Sequence, residues 1–359
     1  MDRRYMRQAL TLGRRHLGQV WPNPSVGCVI VKNGRVIGRS ATALGGRPHA
    51  EPQALAQAGA GAKGATVYVT LEPCAHTGKT PPCAQALIDA KVARVVVACC
   101  DPDPRVDGGG IAMLQAAGIV VETGVGAAEA EIDHAGFFFR VRQGRPLVTL
   151  KLATTLDGRI ATFTGESQWI TGPEARRAVH ALRAQHDAVM VGAGTVRADN
   201  PQLTVRGMGT VRQPVRIVVS RDLNIPTTAI LFYGTDESPV WLCHSRSAET
   251  KGFLANGAIS ILCEAGRDQV DLCSVLRELG RKGLTRVFCE GGGALAASLL
   301  KARLVDQIEL FQAGKVIGGD GLGALASLGV AALSDGPSFQ CMKQRQIGAD
   351  VWTTWRPAS

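Results

Sequence analysis

The chain has 359 residues, 45% hydrophobic, 19% charged and only 5% aromatic; at ~150 residues per domain this allows two globular cores built on Val, Leu, Ile and Ala. The formal charge of +10 suits anionic partners, but no run of about five Lys/Arg marks a nucleic-acid arm, so phosphorylated small molecules are expected rather than nucleic acid. The opening MDRRYMRQAL lacks the apolar core of a signal peptide, and nothing approaches ~18 uninterrupted apolar residues; a cytoplasmic protein without a membrane partner is expected, its ten cysteines thiols or metal ligands rather than disulfides.

Residues 2–18 read as an amphipathic helix. The short apolar runs 26–31 and 35–40 are joined by Lys32-Asn33-Gly34, and Asn-Gly at such a joint signals a hairpin. Strands at 65–71, 94–99 and 119–122 then alternate with helices at 49–59, 81–91, 108–117 and 127–142. That alternation predicts a mixed, largely parallel sheet covered by helices on both faces. A polar stretch with Gly and Pro at 140–146 sets the domains at 1–145 and 146–359. In the second, a strand from residue 147 is followed by strands at 188–191, 216–219, 239–242, 259–262, 286–289 and 307–311. Helices are expected at 173–185, 268–281 and 294–301, giving a second α/β domain. The Gly-rich stretch 314–323 reads as a functional or turn-rich loop.

Pro48-His49-Ala50-Glu51 matches the H-x-E half of a zinc-deaminase signature, and Glu72-Pro73-Cys74 with Cys83 supplies the other half. His49, Cys74 and Cys83 are the expected ligands. Three ligands of N and S type leave one tetrahedral position for water, whose pKa falls to ~7. Glu51, not a ligand, carries the proton from that water to the leaving amine. Residues two apart on a regular helix point about 200° away from each other, so His49 and Glu51 converge only where a helix starts. Taken singly, a His beside Pro or two cysteines around a Pro-rich loop are ordinary surface or core residues; their joint order points to zinc. The common form has Cys-x-x-Cys, whereas here eight residues separate Cys74 from Cys83. That insert carries His76, Lys79 and Thr80, which suit a phosphate or ribose.

The whole set resembles the bifunctional riboflavin-biosynthesis family, a pyrimidine deaminase fused to a pyrimidine reductase. Asn23-Pro24-Ser25-Val26-Gly27-Cys28-Val29-Ile30-Val31 is similar to its first strand signature, and the loop from Cys74 to Cys83 to its version of the second zinc motif. Lys151-Leu152-Ala153-Thr154-Thr155-Leu156-Asp157-Gly158-Arg159, Gly165-Glu166-Ser167-Gln168-Trp169-Ile170-Thr171, the segment 194–206 and Glu290-Gly291-Gly292-Gly293 resemble its reductase motifs. The resemblance implies a cytidine-deaminase-like three-layer αβα domain followed by a dihydrofolate-reductase-like α/β domain. It implies Zn2+ and NADPH as cofactors and a homo-oligomer. The expected reactions are deamination of a diaminopyrimidinone ribosylamino 5′-phosphate and reduction of its ribosyl group to ribityl. Carried over residue by residue, the resemblance makes Asn23, His76, Lys79 and Thr80 deaminase substrate contacts. Lys151, Ser167, Arg183, Leu203, Arg206 and Glu290 become reductase substrate contacts. Ala153, Trp169, Thr195, Asp199, Ser220, Gly292, Gly293 and Ala294 become cofactor contacts.

Read without the resemblance, Gly291-Gly292-Gly293-Ala294 is either a tight strand–helix turn or a place where helix N–H groups meet a phosphate. Trp169 is a packing residue or a flat surface against a nicotinamide, and Asp199 a turn residue before Asn200-Pro201. The reader of an NADPH 2′-phosphate stays open among Ser220, Arg221 and Arg197. The nearest rival function is a nucleic-acid or nucleoside deaminase with an accessory domain. Against it stand the absence of an aromatic stacking platform and of a basic stripe.

Overall fold

The structure, a computed structural model, describes residues 1–78, 81–209, 211–245, 250–267 and 269–358. The chain divides into two compact units, Met1–Gly144 and Arg145–Ser359. In the first, α1 (Asp2–Arg14) precedes a hairpin of β1 (Gly27–Lys32) and β2 (Arg35–Ala41). Then α2 (Ala50–Ala58), β3 (Thr66–Val69), α3 (Cys83–Asp89), β4 (Arg94–Val97), α4 (Gly109–Ala116), β5 (Val120–Thr123) and α5 (Ala127–Gln143) follow. The sheet order is β2-β1-β3-β4-β5, antiparallel through β2-β1-β3 and parallel through β3-β4-β5. The hairpin closes because Asn33 and Gly34 both take positive φ, 51° and 73°, the tight-turn geometry that matches strand twist. Helix α1 stops at Arg14, short of the expected residue 18: the backbone tightens to i→i−3 bonds, His16 N–H to the Gly13 carbonyl at 3.3 Å and Leu17 N–H to the Arg14 carbonyl at 3.4 Å, before Gly18 takes a φ of 77°. Val29, Ile30, Val67, Val69, Val95, Val96 and Val97 are fully buried, as a sheet covered on both faces requires.

The second unit contains β6 (Leu147–Thr154), β7 (Arg159–Ala161), α6 (Pro173–Ala184), β8 (Ala188–Gly192), α7 (Ala193–Asp199), β9 (Val215–Val219), β10 (Val240–His244), α8 (Lys251–Ala255) and β11 (Ile259–Leu262). It continues with α9 (Leu272–Arg281), β12 (Arg286–Cys289), α10 (Gly293–Lys301), β13 (Gln307–Gln312), β14 (Leu322–Gly323), β15 (Phe339–Ile347) and β16 (Asp350–Pro357). Nine strands form one sheet, β11-β10-β9-β8-β12-β6-β13-β16-β15. It is parallel from β11 to β13 and antiparallel from β13 to β15. Helix α9 begins at Leu272 rather than 268, since the Asp271 side chain accepts the backbone N–H of Ser274 at 2.8 Å and of Cys273 at 3.4 Å, an N-cap. The sequence reading missed the terminal hairpin β15–β16. Seven central residues of β15 are exposed, so the strand carries no apolar alternation to find. The carboxyl ends of β8, β9 and β12 open toward the starts of α7 and α10, the edge where α/β sheets bind ligands.

Candidate active sites

Three segments of the first unit meet at one point. His49 is the N-cap of α2, with extended backbone at φ −68° and ψ 167°. Glu51 follows in the first turn, and Cys83 opens α3. Cys74 lies in the loop between β3 and α3. The ligand atoms of His49, Cys74 and Cys83 lie within 4.8 Å of one another. His49 Nδ1 is 3.8 Å from Cys74 Sγ and 3.4 Å from Cys83 Sγ. Nitrogen and sulfur ligands at ~2.0 and ~2.3 Å from a tetrahedral zinc stand ~3.6 Å apart, so the donor set and its spacing fit that ion.

The electrostatics point the same way. The Cys83 thiol, then His49 and the Cys83 backbone N–H, which donates at 3.3 Å, hold the Cys74 thiol down at about 4 against its burial. Cys83 itself is pushed up by its bond to Cys74 and by burial. The two thiols titrate as a pair, and the shift of Cys74 is toward the thiolate, the form that binds metal. Glu51 is 3% exposed; burial pushes its carboxyl up, His49 eases it, and the Cys83 thiol lies within hydrogen-bonding reach. A buried carboxyl with a raised pKa is fitted to hold and pass a proton.

Of the expected substrate contacts, Asn23 donates its Nδ2 to the Gly46 carbonyl at 2.8 Å. His76 Nδ1 and His49 Nε2 are buried with no partner among the described residues. Lys79 and Thr80 lie outside the described residues. Sequence reasoning placed Glu72 in the zinc signature but gave its side chain no task, and the structure supplies one. Its buried carboxylate accepts the backbone N–H groups of Asp101, Gly108, Gly110 and Ile111 at 3.0–3.2 Å. A Cβ on Gly110 would stand 1.9 Å from the Pro73 carbonyl oxygen. Carboxylate and glycine together fix the start of α4 against the turn that carries Cys74. The available signal was a Glu directly before Pro-Cys and the run Gly108-Gly109-Gly110.

In the second unit a cleft of 390 Å³ lies at the carboxyl ends of β8 and β9, lined by Gly194, Arg197, Ser220, Arg221, Gln269 and Ala294 among others. It gathers two expected cofactor contacts, Ser220 and Ala294, with two cations suited to phosphate. Thr195 Oγ1 accepts the Gly292 N–H at 3.1 Å, which ties α7 to the turn that opens α10. Within that turn a Cβ on Gly291 would stand 2.7 Å from Leu295 Cδ2, and one on Gly293 3.2 Å from the Ala324 oxygen. Both positions are closely packed: a side chain at Gly293 would press on backbone, and one at Gly291 on the Leu295 side chain.

A charged cluster accompanies the cleft. Arg183 on α6 and Glu290 after β12 bind each other twice, Nε to Oε1 at 2.5 Å and Nη2 to Oε2 at 3.0 Å. Arg183 Nη1 also donates to the Thr204 carbonyl at 2.8 Å. Burial pushes the Glu290 carboxyl up, but Arg183, Lys151 and His180 outweigh it and hold it below its ordinary value. Burial pushes Lys151 down, opposed by Glu290 and Asp199. Burial raises Asp199, opposed by Lys151. Arg206 is exposed, and its backbone N–H donates to His180 Nδ1 at 3.2 Å. Leu203 is buried with φ 59°. Ala153 lies on β6, while Ser167 and Trp169 lie on the loop after β7; none of the three lines the cleft. Trp169 is 59% exposed, with the Arg176 guanidinium 4.5 Å over its ring. Among the described residues no helix is long and apolar enough to cross a membrane.

Comparison with known proteins gives two family matches: the cytidine and deoxycytidylate deaminase zinc-binding region over residues 1–99 and the RibD C-terminal domain over 146–353. The riboflavin biosynthesis protein RibD of Escherichia coli strain K12 is 42% identical over 98% of both chains. That of Aquifex aeolicus strain VF5 is 40% identical over 98% of this chain and 97% of its own. Among solved structures, Acinetobacter baumannii RibD superposes with a TM-score of 0.90 at 38% identity, covering 100% of this chain and 99% of that one. A diaminohydroxyphosphoribosylaminopyrimidine deaminase/5-amino-6-(5-phosphoribosylamino)uracil reductase from Thermotoga maritima gives 0.89 at 33% identity, covering 99% of each.

Proposed function

The chain belongs to the bifunctional riboflavin-biosynthesis family, a pyrimidine deaminase joined to a pyrimidine reductase with zinc and NADPH as cofactors, and from this premise we propose how its two units divide the work. The first unit hydrolyses the amino group of 2,5-diamino-6-ribosylamino-4(3H)-pyrimidinone 5′-phosphate. The second reduces the ribosyl group of the product, giving 5-amino-6-ribitylamino-uracil 5′-phosphate. His49, Cys74 and Cys83 hold the zinc, which when bound makes water nucleophilic at neutral pH. Glu51 takes the proton of the attacking water on its carboxylate and delivers it to the departing amine. Asn23, His76, Lys79 and Thr80 take the nucleotide; the buried Nδ1 of His76, which has no partner among the described residues, supports a contact there.

In the second unit, Ala153, Trp169, Thr195, Asp199, Ser220, Gly292, Gly293 and Ala294 hold NADPH, the hydride source. Lys151, Ser167, Arg183, Leu203, Arg206 and Glu290 hold the substrate. Orientation of nicotinamide against the ribose carbon is the main task. The protein acts as a cytoplasmic homo-oligomer on small molecules rather than nucleic acid; the exposed edge strand β15 supports self-association.

The observation that carries the deaminase assignment is the convergence of His49, Cys74 and Cys83 on one point with the buried carboxyl of Glu51 beside Cys83. Its test is Glu51→Gln, which keeps shape but cannot accept a proton. Zinc content is expected to stay, while ammonia release from the pyrimidine nucleotide falls at least ~10²-fold. Near-normal turnover would assign the proton transfer elsewhere.

A further inference from the structure

The glycine-rich stretch 314–323, GKVIGGDGLG, has no role in the reactions as assigned above. In the structure it runs from the end of β13 across the second unit, tied at both ends to residues given to the cofactor. At its start, Lys315 Nζ donates to the Trp169 carbonyl at 2.6 Å. At its end, Leu322 and Gly323 pair with β7, and the Ala326 N–H donates to the Gly293 carbonyl at 3.0 Å. Gly293 is closed off by this segment, since its Cβ would stand 3.2 Å from the Gly323 and Ala324 oxygens. The stretch therefore spans from the nicotinamide end of the assigned cofactor site to its phosphate turn.

One side chain holds its middle. The Asp157 carboxylate accepts the Gly318 N–H at 2.7 Å and the Ile317 N–H at 3.3 Å, and the Thr155 hydroxyl donates to it at 2.5 Å. Leu156, beside it, donates its N–H to the Lys315 carbonyl at 2.8 Å. Gly318 has φ 110°, a conformation that favours glycine, and it presents its N–H to the carboxylate. Gly321 is pressed against Ile317, Arg159 and the Ala161 carbonyl, with no space for a Cβ. A strap with so many glycines has high conformational freedom when loose. A carboxylate collecting two of its N–H groups confines it. The hydroxyl of Thr155 and then the Gly318 N–H hold the Asp157 carboxyl down at about 2, so it stays charged at working pH.

We propose that Asp157 is a positioning residue of the reductase: it pins the strap 314–323 so that Trp169 and the Gly293 turn stand at a fixed separation for NADPH. The proposal rests on the assignment of Trp169 and Gly293 to the cofactor site. Asp157 acts through the strap, since its carboxylate is engaged by the Ile317 and Gly318 N–H groups and the Thr155 hydroxyl.

The test uses the full-length zinc-loaded enzyme with the deaminated ribosylamino-uracil phosphate, following NADPH oxidation, direct NADPH binding by fluorescence and ammonia release. Asp157→Ala is expected to raise KM for NADPH and its dissociation constant roughly tenfold, the scale of losing hydrogen bonds to one charged group. KM for the pyrimidine and the rate of ammonia release are expected to stay within about twofold, well inside that scale. Asp157→Asn, which keeps one acceptor oxygen, is expected to recover part of the loss, with a pH profile parallel to the wild type from pH 6 to 9. Gly318→Ala leaves the carboxylate in place but strains the strap, and is expected to show the same selective loss. A cooperative melt of the second unit accompanies each variant. NADPH binding unchanged in both Asp157→Ala and Gly318→Ala overturns the proposal. So does an equal loss of both KM values with a lowered melt, which would make Asp157 purely structural. NADPH affinity unchanged by Trp169→Ala and by Gly293→Ala, each in an otherwise wild-type enzyme, would instead remove the cofactor assignment itself.

Discussion

Glu290→Gln isolates the most buried ion pair of the second unit. Arg183 and Glu290 are 12% and 9% exposed at the side chain and joined by two parallel bonds of 2.5 and 3.0 Å. The substitution keeps volume and one acceptor oxygen but leaves the Arg183 charge without its counterion, beside the buried Lys151. Breaking such a pair from one side costs about 3–5 kcal/mol. At 2–4 °C per kcal/mol for a unit of this size, the melting midpoint is expected to fall by roughly 6–20 °C. The sign of the pH dependence follows from the depressed carboxyl. The contribution is complete above pH 4.5, the ordinary value of the carboxyl, and is lost as pH falls through its lower folded value. Wild type and variant therefore differ most at neutral pH and converge in acid. Tryptophan fluorescence is the assay, because Trp169, Trp241, Trp352 and Trp355 all lie in the second unit and only Trp21 in the first. Replacing both partners by Met should recover much of the loss, since the uncompensated charge is then gone. A Glu290→Gln midpoint within about 2–4 °C of wild type, the shift for about 1 kcal/mol, would refute the reasoning, because the pair would then behave like a surface ion pair.

Three further outcomes are expected. Cys83→Ser should lose most bound zinc, read by atomic absorption, and ammonia release with it, while NADPH-dependent reduction persists; full zinc occupancy would remove Cys83 from the ligand set. His186, buried between the Leu182 carbonyl at 2.7 Å and the Thr149 hydroxyl at 2.9 Å, is pushed down by burial to about 3. Its folded form resists protonation that the unfolded chain accepts below pH 6.5, so stability is complete above that pH and falls by about 2 kcal/mol at pH 5; His186→Gln should flatten that slope in denaturant titrations. A fragment from Arg145 onward should fold without zinc and oxidise NADPH with the deaminated substrate, as expected of a unit with its own core. A folded but inactive fragment would mean that the first unit completes the reductase site.

The two halves differ in how much of their chemistry the chain spells out. A zinc deaminase needs N and S ligands at a helix start and a carboxyl two residues on, so His49, Glu51, Cys74 and Cys83 carry a pattern that chemistry alone makes readable. Strands were equally readable where burial writes a continuous apolar run, as in Val95-Val96-Val97 and Ala188-Val189-Met190-Val191, every residue of which is buried. The reductase lacks such constraints. Its cleft is made of backbone edges and single side chains from α7, β9 and α10, and residue types alone left Ala294 in a turn with two readings and Ser220 as one of three open candidates.

Side chains that brace the backbone of either unit are the least legible of all, and distance along the chain is the reason. Arg183 and Glu290 are 107 residues apart, Asp157 and Gly318 are 161 apart, and Glu72 gathers donors up to 39 residues on. A carboxylate that serves backbone N–H groups leaves no mark in the partner's residue type, because any residue but proline supplies the donor. What it does leave is glycine: Gly110 where the backbone of α4 meets Pro73, and Gly318 where positive φ turns an N–H toward Asp157. An acid next to an otherwise unexplained motif, with a glycine run far downstream, is thus the sequence trace of a carboxylate that organises a loop. Glu72 with Gly108-Gly109-Gly110 and Asp157 with Gly318-Gly319 are two instances of that trace, one in each unit.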